Sequence, residues 1–515
     1  MAGTSEKGTA PGAVLARIRG SATDGRAHNP IFRRNQLKKL HDAVVAHADE
    51  LERAIVAAED TAVTPHDARL ELCFAARAIR ELSASPQLDI AKALELEYAV
   101  SRGQDARDAR RPVGIVVISA PPTAHTPVYS VVSAVAATMA GGNCVVLQTE
   151  QTIRELPAIL GRVLTEALDR NTFATATAVE IEVAMRDRAD VAQFLIMAGD
   201  AEAAPHDSPL ASKPEMLLVS PSHRRVVAVV ERDADLDEAA SALVTARFGF
   251  GGTSPYAPDL VLVNEWAQKG FLEAVMRRTS SLIAGHAASA RGHSRLGASG
   301  ELLKRIKSEG KAKAVTEGDF GAVMIVEQRD SFLLKEKIRQ SCLNVHAVTS
   351  MDDAIDMINV HGRNSAAYVF TKSLASGKYL TQFLDAEVLF VNQIPTRLLV
   401  GPAHPQGHPF DPAKAGMSPD LFTIPTPVYV EPVSSAQDVL EKAARDATPA
   451  SMSALARELS KPLKALERPL KQVHVDFFEQ GIMTGALLVV GTVCTAVGFL
   501  GVHGYRFIAA RSRMG

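Results

Sequence analysis

The spacing of apolar residues along the chain predicts alternating helices and buried strands. Between Arg33 and Glu59 the apolar residues recur every three or four positions, which predicts an amphipathic helix, and Asp67 to Leu82 predicts a second one. Gly114 to Ile118 and Cys144 to Leu147 are short β-branched runs separated by an apolar helical stretch. This pattern is typical of a parallel strand-helix-strand unit.

The same alternation continues into the second half of the chain. Val226 to Val230 and Leu260 to Val263 are further candidates for buried strands. The order of these elements predicts an α/β fold with a doubly wound sheet and helical crossovers. Several prolines after position 424 then interrupt regular structure, and Glu441 to Glu479 is a charged, helix-prone connector.

The pattern changes near the C-terminus, where Gly481 to Val502 contains no charged residue. As a helix this stretch would span roughly 30 Å, enough for a bilayer core. A buried core helix is the alternative, but the arginines that follow, Arg506, Arg511 and Arg513, favour a membrane span. We therefore expect a C-terminal tail anchor with a cytosolic body, in the mitochondrial outer membrane, the peroxisome or the endoplasmic reticulum.

Composition agrees with a large folded protein. The chain has 515 residues, 47% of them hydrophobic and 22% charged, so it can bury a sizeable core. A net charge of -2 gives no reason to expect nucleic acid as a partner. The four cysteines are scattered without paired or metal-like spacing, which predicts reduced thiols and no metal site. The first 26 residues lack the apolar run of a secretory signal.

One segment carries a family resemblance. The stretch from Arg247 to Leu262, which includes Gly-Gly-Thr-Ser-Pro and Ala-Pro-Asp, resembles the nucleophile loop of aldehyde dehydrogenases. Other segments match that family in the same order: Gly142 to Leu147, Asp233 to Asp237, Asp353 to Asp356, Tyr368 to Phe370, and Val391-Asn392. The whole pattern is most similar to the class 3, fatty-aldehyde branch, whose members carry a C-terminal membrane tail.

The resemblance implies two doubly wound Rossmann-like domains, a β-strand oligomerisation arm and a C-terminal transmembrane helix. It implies a homodimer too, because Glu97 to Gly103 matches the extended segment that pairs with a neighbour in the family, and an unpaired strand would be an exposed edge. The expected parts are a disordered leader (1–30), a dinucleotide-binding-like domain (31–221, with the arm near 97–112), a catalytic-like domain (222–395), a return to the first domain (396–430), a linker helix region (431–478), the anchor (479–503) and a basic tail (504–515).

The resemblance also shows where the chain departs from the family's chemistry. Pro255 occupies the position of the nucleophilic cysteine, and proline has no nucleophilic atom. Counting back sixteen positions from Asp237 places Pro221 where the family has its general-base glutamate. The oxyanion-binding asparagine corresponds to His125, or to Thr123 when the count runs forward from Gly114, and a plain loop residue is the favoured interpretation of His125.

The implied cofactor site is altered in the same way. Gln148 replaces a lysine that holds the adenosine ribose, and Lys337 replaces a glutamate that binds the other ribose. The family's helix start at the pyrophosphate corresponds to Gly199-Asp200, where an aspartate would place negative charge beside a phosphate. We therefore expect no cofactor, or NAD or NADP if the ancestral reaction persists.

Other residues are less favoured candidates for a nucleophile, a metal ligand or an anion-binding group. Ser254 is an alternative nucleophile without an identified base, and Cys144 lies within a predicted buried strand, where a thiol is inert. His404 and His408 have metal-like spacing, but the prolines around them predict a surface loop. His223-Arg224-Arg225 reads as a solvated basic turn.

The sequence leads to two functional hypotheses. The first is a membrane-anchored, non-catalytic or regulatory protein of the aldehyde dehydrogenase fold, a pseudoenzyme whose ligand is unknown. The alternative is a membrane-bound NAD(P)-dependent oxidoreductase acting on lipophilic aldehydes with atypical site residues. A hydrolase that uses Ser254 is a third, less favoured class.

Overall fold

The computed structural model describes residues 11–511 except 59–62, 122–123, 150–153, 188–192, 200–216, 222, 288–295, 319, 406, 413–415, 433–437, 447 and 464–476. Its strands are β1 (Arg110–Pro112), β2 (Ile115–Ser119), β3 (Cys144–Thr149), β4 (Phe173–Thr177), β5 (Gln193–Gly199), β6 (Leu217–Pro221), β7 (Val226–Val230), β8 (Leu260–Asn264), β9 (Ala312–Gly318), β10 (Gly321–Val326), β11 (Cys342–Val348), β12 (Asn364–Phe370), β13 (Ala386–Val391) and β14 (Thr423–Pro425).

The helices alternate with these strands as the apolar spacing predicts. They are α1 (Pro11–Thr23), α2 (Pro30–Ala46), α3 (Ala48–Ala57), α4 (Pro65–Ser83), α5 (Ile90–Ala99), α6 (Pro127–Ala140), α7 (Glu155–Ala167), α8 (Ala178–Asp187), α9 (Leu236–Phe248), α10 (Gln268–Ala287), α11 (Leu296–Glu309), α12 (Met351–Asn359), α13 (Leu374–Phe383), α14 (Val439–Arg445), α15 (Pro449–Leu459) and α16 (Phe477–Arg511).

Two sheets organise the first compact unit, which comprises residues 1–372 and 383–433. A five-stranded parallel sheet has the order β4-β3-β2-β5-β6. A seven-stranded sheet has the order β13-β12-β7-β8-β11-β10-β9 and is parallel except for β9. Both orders are doubly wound, because the chain crosses back over an earlier strand to extend the sheet on its other side. The predicted fold class is confirmed.

Helix α6 is the buried crossover between the parallel strands β2 and β3. It follows β2 and is buried on every face, since small residues such as Ala136 and Ala137 let it pack closely. It belongs to the apolar core that covers one face of the five-stranded sheet together with side chains of α2 and α4. Because β2 and β3 are parallel and buried on both faces, the connection between them must be a crossover helix of this kind.

A smaller two-stranded sheet joins distant parts of the chain. β1 pairs antiparallel with β14, so that Arg111 lies opposite Ile424, and an isolated bridge links Ala106 to Val428.

The extended conformation predicted for Glu97 to Gly103 is wrong, because the segment is helical through α5 and a 3₁₀ turn at Val100–Arg102. Asp89 caps α5 by accepting from two backbone N–H groups, which starts a helix that the alternation of exposed and apolar positions did not indicate.

The leader predicted as disordered is also partly wrong. Residues 11–23 form α1, and Leu15 and Ile18 are buried against the second face of the five-stranded sheet. The helix forms because these two apolar side chains, in a segment of mostly small residues, have a sheet surface to cover.

The single helix predicted for Arg33–Glu59 is two helices in the structure, α2 and α3, which meet at His47. Residues 1–10 lie outside the described part of the chain.

The second compact unit comprises residues 373–382 and 434–515. Within its described residues, α14 and α15 precede α16, which is 35 residues long. Glu479–Gly504, a 26-residue stretch of α16, is long and apolar enough to cross a membrane, by length and composition. Its side chains are exposed rather than packed in a core.

Candidate functional site

The loop that carries Pro255 is shaped by glycines. After α9 the chain turns through Phe250, Gly251 and Gly252, all with positive φ. A Cβ added at Gly252 would lie 2.5 Å from the carbonyl carbon of Gln340, so this position accepts glycine alone. The loop is therefore held closely against the segment that leads into β11.

Pro255 is buried, and its backbone forms a hydrogen bond with the side chain of Lys337. The Lys337 ammonium donates to the carbonyl oxygen of Pro255 at 2.7 Å. Both are positions that the sequence predicted as degenerate site residues, and the structure brings them into direct contact. The side chain expected at the family's glutamate position thus binds the backbone of the residue expected at the cysteine position.

Lys337 belongs to a buried cluster of charges centred on Asp259. The carboxylate of Asp259 lies 3.0 Å from the Lys337 nitrogen and 3.3 Å from the Arg247 guanidinium. It also accepts from the backbone N–H groups of Val226 at 2.8 Å and Ile338 at 3.0 Å. Two cations therefore share one buried anion. Burial lowers the pKa of Lys337, and the nearby Arg247 lowers it further, against the opposing attraction of Asp259.

His125 lies next to the nucleophile loop rather than in a separate turn. Its Nδ1 is 2.8 Å from the Thr253 hydroxyl, and its Nε2 is 2.8 Å from the carbonyl oxygen of Leu399. Its ring packs edge-on against Phe250, with centroids 5.7 Å apart. Burial, together with the charge of Lys337, lowers the pKa of His125 to about 4, so the ring is neutral at physiological pH. His125 thus lies in the loop before α6, as expected, and both of its ring nitrogens have hydrogen-bond partners there.

A cavity of about 40 Å³ opens beside this pair, and Glu71 lines it together with His125 and Thr253. Glu71 accepts from the N–H groups of Val128 and Tyr129 at 2.8 and 3.0 Å, so its carboxyl caps the start of α6. Burial raises its pKa to about 7, although these two hydrogen bonds oppose the rise. Glu71 is not among the site residues that the sequence predicts. The available signal was an acidic residue on the apolar face of the predicted helix from Asp67 to Leu82.

The other predicted positions lie at one edge of the five-stranded sheet. Gln148 is near the carboxyl end of β3, and Gly199 ends β5, where it pairs with Pro221 at the end of β6. Asp200 and Thr123 lie outside the described residues. Gln148, Gly199 and Pro221 share the carboxyl edge at which doubly wound sheets bind ligands. Gln148 brings no charge to that edge.

The remaining candidates are weaker in the structure. Ser254 is 1% exposed, and its hydroxyl accepts from the N–H of Tyr256. Burial raises the pKa of the Cys144 thiol to about 12, as an inert core cysteine requires. The surface location predicted for His404 is wrong: it is 9% exposed and packs against Phe410, because the loop folds back beneath Tyr256. His408 is exposed as predicted.

Comparisons with known proteins agree with this architecture. The aldehyde dehydrogenase family model matches residues 21–403. A coniferyl aldehyde dehydrogenase of Pseudomonas sp. (strain HR199 / DSM 7063) is 23% identical over 64% of this chain and 72% of its own. Aldehyde dehydrogenase family 3 member B1 of Rattus norvegicus is 23% identical over 69% of this chain and 74% of its own, in line with the class 3 resemblance.

Solved structures support the fold. An NAD-dependent benzaldehyde dehydrogenase from Corynebacterium glutamicum superposes with a TM-score of 0.60 at 18% identity, covering 84% of this chain and 91% of its own. A glyceraldehyde-3-phosphate dehydrogenase from Methanocaldococcus jannaschii, complexed with NADP, gives 0.57 at 16% identity, covering 74% and 85%. At these identities the likeness establishes the fold alone.

Proposed function

Because the chain belongs to the aldehyde dehydrogenase family, we propose that it is a membrane-anchored member that has lost aldehyde oxidation and acts as a non-catalytic or regulatory protein. The observation that carries this proposal is the contact between Pro255 and Lys337. Aldehyde oxidation in this family needs a thiolate that adds to the carbonyl carbon before hydride can leave. Position 255 supplies no such atom.

The residues at the expected cofactor-binding positions, Lys337 and Gln148, support the same proposal. A ribose ligand at position 337 would need a polar group within reach of the sugar, but the Lys337 side chain is only 7% exposed. Its ammonium is engaged by Asp259 and by the carbonyl of Pro255. At the edge of the other sheet, Gln148 has no charge with which to hold the dinucleotide. These two positions support the proposal that the chain does not hold NAD or NADP in the way that the family resemblance implies.

The membrane part of the proposal rests on α16. Glu479–Gly504 is uncharged from Gly481 to Val502, and an exposed apolar helix of this length is costly in water but not in a bilayer. The predicted homodimer stays a prediction, and the exposed apolar side chains near β14, such as Ile424 and Tyr429, are compatible with a partner there.

The test is a binding and turnover measurement on the full-length protein in detergent. We expect no heat of NAD or NADP binding at millimolar concentration, and no reduction of either with a long-chain aldehyde. Pro255→Cys should stay inactive, because groups that act as a unit are not restored singly. Ser254→Cys is the matched control, since it places a thiol one residue away. Reduced nicotinamide formed by the unmodified protein would instead support the membrane-bound oxidoreductase.

A further inference from the structure

Two adjoining hollows open among α2, α4 and the start of α5. Their volumes are about 270 and 480 Å³, and small-molecule sites usually enclose roughly 300–1,000 Å³. Arg34, Ser83 and Ala84 line both hollows, which therefore form one continuous groove, called the α2–α4 groove below. Among its described lining residues, none belongs to the candidate site around Pro255.

The floor of the α2–α4 groove is apolar and well packed. Leu37 of α2, Ile79 of α4 and Leu88, in the turn between α4 and α5, line the groove and are buried. All three belong to the apolar core that covers the five-stranded sheet. The polar side chains of the rim are therefore carried by a rigid base, which is what fixes a ligand in one position.

The rim of the groove is rich in positive charge. Its basic side chains are Arg34, Lys38 and His41 of α2, Arg80 of α4 and Lys92 of α5. The three from α2 are four and three residues apart, so they share one face of that helix. Asp89 is the one carboxylate among the described lining residues, and its Oδ1 already accepts from the N–H groups of Ala91 and Lys92.

Most of these cations lack an anionic partner. The side chains of Arg34 and Lys92 have no hydrogen bond or ion pair with any described residue. Arg80 donates to Nε2 of His41 at 3.3 Å, and this ring nitrogen is a neutral acceptor. Lys38, in contrast, pairs with Asp42 at 2.5 Å. Three cations from three helices therefore border one groove without a carboxylate to neutralise them.

We propose that the α2–α4 groove is a binding site for a phosphate monoester. Such a group carries about 1.5 to 2 negative charges at pH 7 and offers three strong acceptor oxygens. Arg34, Arg80 and Lys92 can compensate that charge together, whereas a carboxylate would match only one of them. The planar guanidinium of an arginine also binds two phosphate oxygens at once.

The second hollow accommodates the rest of the ester. Ser85 lines it, and its hydroxyl oxygen has no hydrogen-bond partner among the described residues, so a donor is available there for a polar group of the ligand. The site involves neither Pro255 nor Lys337 nor α16. It is therefore independent of the proposed loss of aldehyde oxidation and of the proposed membrane anchor.

The experiment is calorimetric titration of the full-length protein in detergent with glycerol 3-phosphate. We expect saturable binding that weakens as the salt concentration rises, because exposed charges are screened. Dihexanoyl phosphatidic acid, which carries the same phosphate on a lipid, identifies the source of the ligand. Binding at least tenfold tighter than that of glycerol 3-phosphate would assign the site to a lipid headgroup, and equal affinity would assign it to a soluble phosphate ester.

Substitutions in the rim test the site itself. Arg34→Gln and Arg80→Gln should each weaken binding at least about tenfold, the effect of losing one charge-assisted hydrogen bond. Arg34→Lys keeps the charge but loses the planar fork, so its effect should be smaller. The matched control is Arg77→Gln, an exposed arginine of α4 that pairs with Glu81 and does not line the groove.

A circular dichroism spectrum of each variant separates a weakened site from a damaged fold. The absence of a binding heat for both esters at millimolar concentration would overturn the proposal. So would an affinity that stays unchanged in both Arg34→Gln and Arg80→Gln. Acetate that binds as tightly as glycerol 3-phosphate would overturn the assignment to a phosphate. None of these outcomes bears on NAD binding or on aldehyde turnover, so the two proposals fail by separate measurements.

Discussion

Asp259→Asn should be among the most destabilising single changes in this chain. Asp259 is 0% exposed, and its carboxylate forms ion pairs with both Arg247 and Lys337. An asparagine of the same shape would remove the negative charge and leave two buried cations close together. Breaking a buried ion pair in this way costs about 3–5 kcal/mol, because the remaining charge loses its compensation while it stays buried.

A second variant separates the charge effect from a loss of packing. Lys337→Met removes one of the two cations while Asp259 keeps Arg247 and its backbone donors. The double variant Asp259→Asn with Lys337→Met should therefore be more stable than Asp259→Asn alone. If the damage came only from lost hydrogen bonds, adding Lys337→Met would worsen it.

The assay is urea unfolding of full-length protein in detergent, followed by circular dichroism. The matched control is Asp237→Asn, whose salt bridge to Arg277 joins side chains that are 77% and 64% exposed. Such a surface pair contributes about 0–1 kcal/mol. An unfolding midpoint for Asp259→Asn equal to that of Asp237→Asn would refute the view that Asp259 compensates two buried cations.

Two further predictions concern pH and the membrane. Since the Glu71 pKa is raised from 4.5 to about 7, the native state binds this proton more tightly than the unfolded chain, and stability should fall by up to ~3 kcal/mol as pH rises through that window. Glu71→Gln should flatten this slope in melting curves from pH 5 to 8, whereas Glu97→Gln, on the exposed face of α5, should not. Full-length protein should sediment with membranes and resist carbonate extraction, and a chain that ends at Gln472 should stay in solution. Full-length protein that is soluble without detergent would contradict the anchor.

The buried strands could be predicted well because their signal is local. Val226 to Val230 forms β7 with the predicted bounds, and Leu260 to Val263 extends by one residue into β8. A short β-branched run buried on both faces has few alternatives to a parallel strand. The errors at α1 and α5 arose where helix formation depends on a surface to cover or on a cap, and the local alternation of residues does not reveal either.

The sequence singles out residues of the candidate site but not their contacts. Counting along the family pattern identifies Pro255, His125 and Lys337, whose roles stay predictions, and Lys337 and His125 both contact the loop from 253 to 255. The pairing of His125 with Thr253 joins residues 128 positions apart. Such a contact depends on how the two sheets of the first unit are arranged, and no local pattern encodes it.

The buried cluster links positions 255 and 337 in this chain. Lys337→Glu would direct a carboxylate toward Asp259, whose oxygen now lies 3.0 Å from the lysine nitrogen. Two carboxylates at such a distance cannot both ionise, so the site would gain a proton or lose its packing. The lysine is compatible with this loop because it neutralises Asp259 and donates to the Pro255 carbonyl.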